Sequence, residues 1–358
     1  MAQLNFTPGP SELYFTVPDH LRRALREGIP SLSHRSKAFE KIFQSATDGL
    51  RELLGLPAGF HIAFTSSATE VWERSVQSLV AQRSAHLVNG AFSRRFFEIS
   101  GQLGKTTTAL TASDGEGFET ITLPPDQELI AYTHNETSTG VMLTSSVMRA
   151  GRDQQPEALV IVDAVSSLPY ADLDYTAIDS VFFSVQKGFG LPAGLGVWIY
   201  NDRCVEKAKR LQSEGKNIGT YHSLLSLHTF ALKNQTPETP NVLGIYLLGQ
   251  VVADFLRRGI TIIRKETEYK AALLYGVLDR RPDMTPFVKQ HDHRSKTVIT
   301  VSCPAVIQPL TTYLESKGLS PGEGYGINKA GQLRFANFPA HSKETYELLA
   351  DSIEQFNP

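Results

Sequence analysis

The stretch SVQKGFGLPAGLGVWIYND (184–202) decides how this chain folds and where its chemistry sits. A β-rich run, DSVFFSV (179–185), leads to Lys187; a glycine-rich turn follows, and GVWIY (196–200) starts another strand. A dinucleotide-binding glycine loop must open a helix whose N-terminus faces the pyrophosphate, and here β-branched and aromatic residues follow instead, which excludes that reading. Lys187 is the better clue. A lysine at the carboxyl end of an α/β strand points into the crevice where ligands bind, and a partly desolvated amine there is neutral enough to attack a carbonyl. Taken alone, a lysine in a turn is ordinarily a solvated surface charge.

Two further strand ends change that balance. In LVIVDAVSSL (159–168) an apolar run ends at Asp163, 24 residues before Lys187, where a carboxylate could keep a heterocyclic nitrogen protonated. By itself Asp163 reads first as a cap or turn residue. In TSSATEVWE (65–73) small hydroxyl residues precede an amphipathic helix, with Trp72, Val76, Leu79 and Val80 on one face. Ser67, Ala68 and Thr69 would present N–H groups and hydroxyls at that helix start, a natural phosphate seat, although an ordinary N-cap has the same signature. An amine, an acid and an anion seat at three strand ends together specify pyridoxal phosphate.

Further short β-rich runs lie at 61–65, 85–89, 105–110 and 129–135, several of them apolar on both faces. Such strands belong in a parallel or mixed sheet covered by helices on both sides, so an α/β fold is expected. The pattern changes after Gly215 to a polar loop, a Pro-rich turn at QTPETPN (235–241) and a long helix from about 242. Helices near 260–278 and 306–317, strands at 296–302 and 332–335 and a last helix form a small α+β unit. The expected division is 1–242 for the N-terminal segment and large domain, and 243–358 for the small one.

The 358 residues carry 35 Lys+Arg against 37 Asp+Glu, a net charge of −2, which argues against a nucleic-acid or other polyanion binder. Only Cys204 and Cys303 occur, in no metal-binding or disulfide-scaffold spacing, and the opening MAQLNFTPGPSELYF does not read as a signal peptide, so a cytoplasmic protein is expected. The apolar run 242–256 is interrupted by Gly244, Gly249, Gln250 and Asp254, which makes it a buried helix rather than a membrane span. His291 and His293 have an HxH spacing but sit in a polar segment that reads as a solvated loop, not a metal site.

With Asp163 and Lys187, the motifs NFTPGPS (5–11), SHRSKAF (33–39), HNETSTG (134–140), QTPETP (235–240) and LRFANF (333–338) give the chain its resemblance to a family. It resembles the class V, fold-type I aminotransferases, and among them most resembles the phosphoserine aminotransferases. The resemblance implies a large domain with a mostly parallel seven-stranded sheet, and a homodimer with shared active sites. It implies Lys187 as the catalytic residue that carries pyridoxal phosphate, Asp163 on the ring nitrogen, Thr137 near the phenolic oxygen and Phe92 stacked on the ring where these enzymes commonly carry Trp. Ala68, Thr69 and Gln186, with Gln235 and Thr236 from the other subunit, would bind the phosphate. Arg334 would take the α-carboxylate, and His34 and Arg35 the distal anionic group.

The implied reaction exchanges an amino group between O-phospho-L-serine and 2-oxoglutarate, giving 3-phosphohydroxypyruvate and glutamate, a step of serine biosynthesis. Two departures qualify it. The loop 66–70 has Thr69 and Glu70 where bacterial phosphoserine aminotransferases add an Arg, and GYGINKAGQLR (324–334) offers Asn328 and Lys329 in place of a His-Arg pair. An alanine-glyoxylate or serine-pyruvate type of class V transaminase is therefore the alternative, followed by a pyridoxal-phosphate lyase such as a cysteine desulfurase, which would need a mobile nucleophilic Cys.

Overall fold

The computed structural model of the protein describes residues 3–358. Its largest sheet has seven strands, in spatial order Phe60–Thr65, Gly196–Asn201, Ser180–Ser184, Leu159–Asp163, Leu129–Thr133, Arg83–Val88 and Thr106–Thr111. The last five of these strands run parallel to one another; Gly196–Asn201 runs antiparallel to both of its neighbours. The sequence explains why the sheet is central. Along Leu129–Thr133 and Leu159–Asp163 every residue is buried. Ile130, Tyr132, Val160 and Val162 face one core, while Leu129, Ala131, Leu159 and Ile161 face the other. A period of two with apolar residues on both faces demands helices on both faces.

The first core is closed by the helices Lys37–Leu54 and Val242–Arg258, and the second by Ala68–Leu79, Ala91–Gln102 and Asp202–Ser213. Four of these five helices have a side-chain N-cap: Ser36, Ser67, Asn201 and Asn241 accept a first-turn amide through the side chain, contacts worth about 1 kcal/mol each. The helix Leu224–Ala231 falls in the region read from sequence as loop and turn. Its run LLSLHTFA lacks a clean polar face, because Leu224 and Leu227 pack into the second core while the rest is half exposed.

A second sheet of five strands runs Leu4–Phe6, Leu319–Glu323, Gln332–Ala336, Val298–Ser302, Thr285–Pro286. It has its own core around Phe6, Leu274, Phe335, Leu349 and Ile353. The first strand of the chain thus pairs in parallel with Leu319–Glu323, and Val242–Arg258 packs on Lys37–Leu54 in the core of the large sheet. The HxH segment differs from its solvated-loop reading. His291–His293 is a short 3₁₀ turn, and His293 is buried against Gly117, where no Cβ would fit. Among the described residues no helix is long and apolar enough to cross a membrane.

Candidate active site

Ligand sites in α/β sheets lie outside the carboxyl ends of the parallel strands. Thr133 and Asp163 end neighbouring strands and are paired in register, Ser184 ends the next, and Lys187 lies three residues beyond it. These ends line one cavity, closed by Ala68, Thr69 and Trp72 from the helix Ala68–Leu79 and by Phe92 from Ala91–Gln102. The glycine-rich turn serves packing rather than phosphate binding. A Cβ on Gly196 would stand 2.5 Å from Thr65 Oγ1 and 2.6 Å from the Ser67 carbonyl carbon, so glycine lets the antiparallel strand pass the start of the helix. Gly9, at φ +148°, does the same for the lysine: a Cβ there would lie 2.7 Å from Lys187 Cε.

Lys187 is buried. Its Nζ donates to Thr137 Oγ1 at 2.8 Å, and Thr137 Oγ1 donates to Ser166 Oγ at 2.9 Å. Its Nζ also lies 5.2 Å from the centre of the Phe92 ring. Burial pushes the amine down to about 8, with the Arg334 charge adding to the shift and Asp163 and Glu136 opposing it. At the floor, Asp163 accepts from the Trp72 indole N–H at 2.8 Å and from the Val165 amide at 2.9 Å. Burial nevertheless raises its carboxyl to about 6, against those two bonds and the nearby Lys187.

The residues present fit pyridoxal phosphate. Thr133 Oγ1, Asn135 Oδ1 and Gln186 Oε1 belong to residues lining the cavity, are buried, and have no hydrogen-bond partner among the described residues. Buried polar atoms are rarely left so unless a ligand completes them. At the phosphate seat, the Ala68 amide donates to Ser184 Oγ at 2.8 Å and the Glu70 amide to Ser67 Oγ at 3.2 Å. That leaves the Thr69 amide, at a positive helix end, as the one of the three free to meet an anion.

Arg334 reaches the same place from the second sheet. Its Nη1 donates to the Thr137 carbonyl at 3.1 Å and its Nε to the Glu323 carbonyl at 2.8 Å, which uses two of its five N–H donors. Burial lowers it to about 10. His34, Arg35, Gln235 and Thr236 do not line the cavity of their own chain. Arg35 donates to Gln235 Oε1 at 3.0 Å, to the Thr236 carbonyl at 2.6 Å and to the Pro237 carbonyl at 3.1 Å. Gln235 Nε2 donates to Glu40, and the buried Thr236 donates its hydroxyl to the Glu238 carbonyl. Lys329 pairs with Glu323 at 2.8 Å, on the exposed face of the 324–331 loop.

An amine poised at a carbonyl-binding position, facing an acid across a cavity with an aromatic wall and an anion seat, is equipped for amino-group chemistry. The Aminotransferase class-V family model matches residues 106–320, more than half of the chain. The chain belongs to the class-V aminotransferases. This family depends on pyridoxal phosphate. A crystal structure of a phosphoserine aminotransferase from Cytophaga hutchinsonii is 47% identical, with a TM-score of 0.97 over 99% of each chain. A phosphoserine aminotransferase of Nocardioides sp. is 27% identical over 355 residues, covering 98% of this chain and 94% of that protein. An aspartate aminotransferase of subgroup IV from Thermus thermophilus is 25% identical, with a TM-score of 0.84 over 98% of each chain.

Several residues of this aminotransferase's site escape a reading of the sequence. Trp72 reads only as part of an apolar helix face, yet its N–H holds Asp163; the usable signal is that a buried indole N–H must find an acceptor. Glu136, between Asn135 and Thr137, is fully buried and accepts from the amides of Phe92, Ser93 and Ser138 and from the hydroxyls of Ser93 and Ser138. It therefore fastens the helix start that carries Phe92 to the loop that carries Thr137. Ser166, Ser184 and Gly9 complete the set. Replacing Trp72 with phenylalanine removes a donor to the charged form of Asp163, so that pKa moves up further. We expect the acid limb of cofactor binding to shift upward by as much as ~1 pH unit, read from absorbance titrations at a series of pH values.

Proposed function

We propose that the chain transfers the amino group of O-phospho-L-serine to 2-oxoglutarate, as a cytoplasmic homodimer with shared sites. The observation that carries the substrate assignment is the full-length likeness to the Cytophaga hutchinsonii phosphoserine aminotransferase. The chemistry rests on the Lys187–Asp163 geometry. The Asp163 carboxylate would keep the ring nitrogen of a bound pyridoxal phosphate protonated, and Phe92 and Thr137, which line the same cavity, would hold the ring. Bound there, pyridoxal phosphate supplies an electron sink for the charge that develops at the donor's Cα. Lys187 Nζ would hold the cofactor until the donor amine displaces it, and would then carry the donor's Cα proton to the cofactor's C4′ carbon, acting as base and then as acid. A pKa near 8 suits both directions. The remaining N–H groups of Arg334 match the donor's α-carboxylate in a planar fork.

Arg35 and His34 sit with Gln235 and Thr236 in one cluster outside their own chain's cavity. In this proposal a second copy brings that cluster to the site, so that the cofactor's phosphate meets Gln235 and Thr236 and the donor's distal anion meets Arg35 and His34. A division into a large and a small unit belongs to the same proposal; because Val242–Arg258 packs in the core of the large sheet, the boundary is proposed after that helix rather than at 242/243, with the strand Leu4–Phe6 returning to the small unit's sheet.

One observation favours a second reading, a class V transaminase for small unphosphorylated donors. Lys329 is spent on Glu323 and Asn328 on Asp114, so the 324–331 loop supplies no unpaired cation for a phosphate. A lyase of the cysteine desulfurase kind is disfavoured, because Cys204 and Cys303 are both buried and burial raises both thiols. Steady-state comparison of donors separates the first two: phosphoserine should exceed serine and alanine in kcat/KM by roughly 100-fold or more. A preference for the unphosphorylated donors rejects the phosphoserine assignment.

A further inference from the structure

His222 lies in the loop between the helices Asp202–Ser213 and Leu224–Ala231 and is 3% exposed. Each ring nitrogen meets a carboxylate: Nδ1 pairs with Glu70, and Nε2 with Glu238 at 2.7 Å. The exposed Tyr221 stacks on the imidazole, with centroids 4.0 Å apart. Two carboxylate acceptors require two N–H donors, so the ring is an imidazolium.

The two carboxylates come from segments that matter to the site. Glu70 follows Thr69 at the phosphate seat, and its second oxygen accepts from the Ser66 amide at 2.8 Å and the Ser66 hydroxyl at 2.7 Å. Glu238 belongs to the segment that contains Gln235 and Thr236, and it accepts the Thr236 hydroxyl through its carbonyl. We propose that His222 is a positioning residue for the cofactor's phosphate, clamping the Ser66–Glu70 seat of its own subunit to the 235–241 segment that the subunit lends to its partner. The coupling of the two seats rests on the shared-site reading above. The effect on the subunit's own seat does not.

Burial alone would lower the imidazole's pKa, but its bonds to Glu238 and Glu70 and their charges raise it to about 9. Glu70 is held down to about 2 by His222 and Ser66 against its burial. The groups facing the ring are Glu70 from the helix start, Glu238 from the 235–241 segment and Tyr221 from its own loop; His34 and Arg35 stand beyond Glu238. Because the folded pKa of His222 lies above its ordinary value of about 6.5, the clamp is at full strength below that pH and is lost as pH rises through about 9.

The test is the ratio of pyridoxal phosphate dissociation constants, His222→Gln over wild type, measured by absorbance titration of apo-protein. Taking the ratio cancels the pH dependence that Lys187 gives to both proteins. We expect about tenfold weaker binding near pH 6.5, closing to within about twofold near pH 10, and a smaller loss in the same direction for Glu238→Gln, which keeps the Glu70 pair. A ratio near one at the lower pH, or one that stays constant to the upper, overturns the proposal. Should His222→Gln misfold, Glu238→Gln is judged by the same two criteria. The shared-site reading has its own test: heterodimers of Lys187→Ala chains with Gln235→Ala chains rebuild one intact site only if Gln235 acts in the partner. Failure to recover activity there sinks that reading while leaving the His222 ratio to stand or fall by itself.

Discussion

Replacing Lys187 with alanine is expected to lower turnover by at least ~10⁴-fold, because one side chain both holds the cofactor and moves the proton. The loss should not come from unfolding. Burial depresses the amine's pKa to about 8, so burying the charged form already costs stability. The aliphatic stem packs beside Gly9, and the amine's hydrogen-bond partner is Thr137, whose hydroxyl keeps Ser166. The apo-protein carrying Lys187→Ala should therefore melt no lower than wild-type apo-protein at neutral pH, while single-turnover assays show the chemical step gone. A melting temperature lowered together with the activity would mean that the lysine is structural.

Asp163→Asn should cost about 10³-fold in turnover, with substrate affinity much less affected. An amide is nearly isosteric with the carboxylate but cannot hold a ring nitrogen protonated, so the electron sink weakens where a buried carboxyl accepts from Trp72 and faces Lys187. The substitution also has a stability cost that follows from donor count. Trp72 Nε1–H and the Val165 amide both donate to Asp163, one to each oxygen, whereas asparagine offers a single acceptor and turns its NH₂ toward one of them. A donor facing a donor in a buried site costs about 1–3 kcal/mol. Thermal unfolding should thus fall by several degrees, and Asp163→Asn with Trp72→Phe should recover much of that loss without recovering turnover.

The parts legible in the sequence are those encoded locally. The strands apolar on both faces, the helix that begins after Ser67, and Lys187 and Asp163 at strand ends all follow from periodicity and from the chemistry of one residue type. Contacts between distant segments are chosen by packing and leave no local trace. Trp72 and Asp163 are 91 residues apart, Lys187 and Thr137 are 50 apart, and nothing near Glu136 announces that it caps the helix carrying Phe92. The helix Leu224–Ala231 escapes because its amphipathic pattern is short and weak. His222 escapes for a related reason: both of its carboxylate partners are remote, and a histidine in a polar loop has the composition of a solvated one. Charge alone does not place a cation in a site: Lys329 invites a substrate role but faces Glu323 within its own chain, and Arg35, whose role the resemblance implies, is fastened within its own chain to the Thr236 and Pro237 carbonyls and the Gln235 side chain.

Chemistry at Lys187 is the centre of this account. Borohydride reduction of cofactor-loaded protein, followed by proteolysis and mass mapping, fixes the cofactor to whichever amine holds it. A single pyridoxyl mass on the peptide containing Lys187 is the predicted result, with Lys187→Ala unlabelled. Labelling at another lysine, or none after full reconstitution, would contradict it.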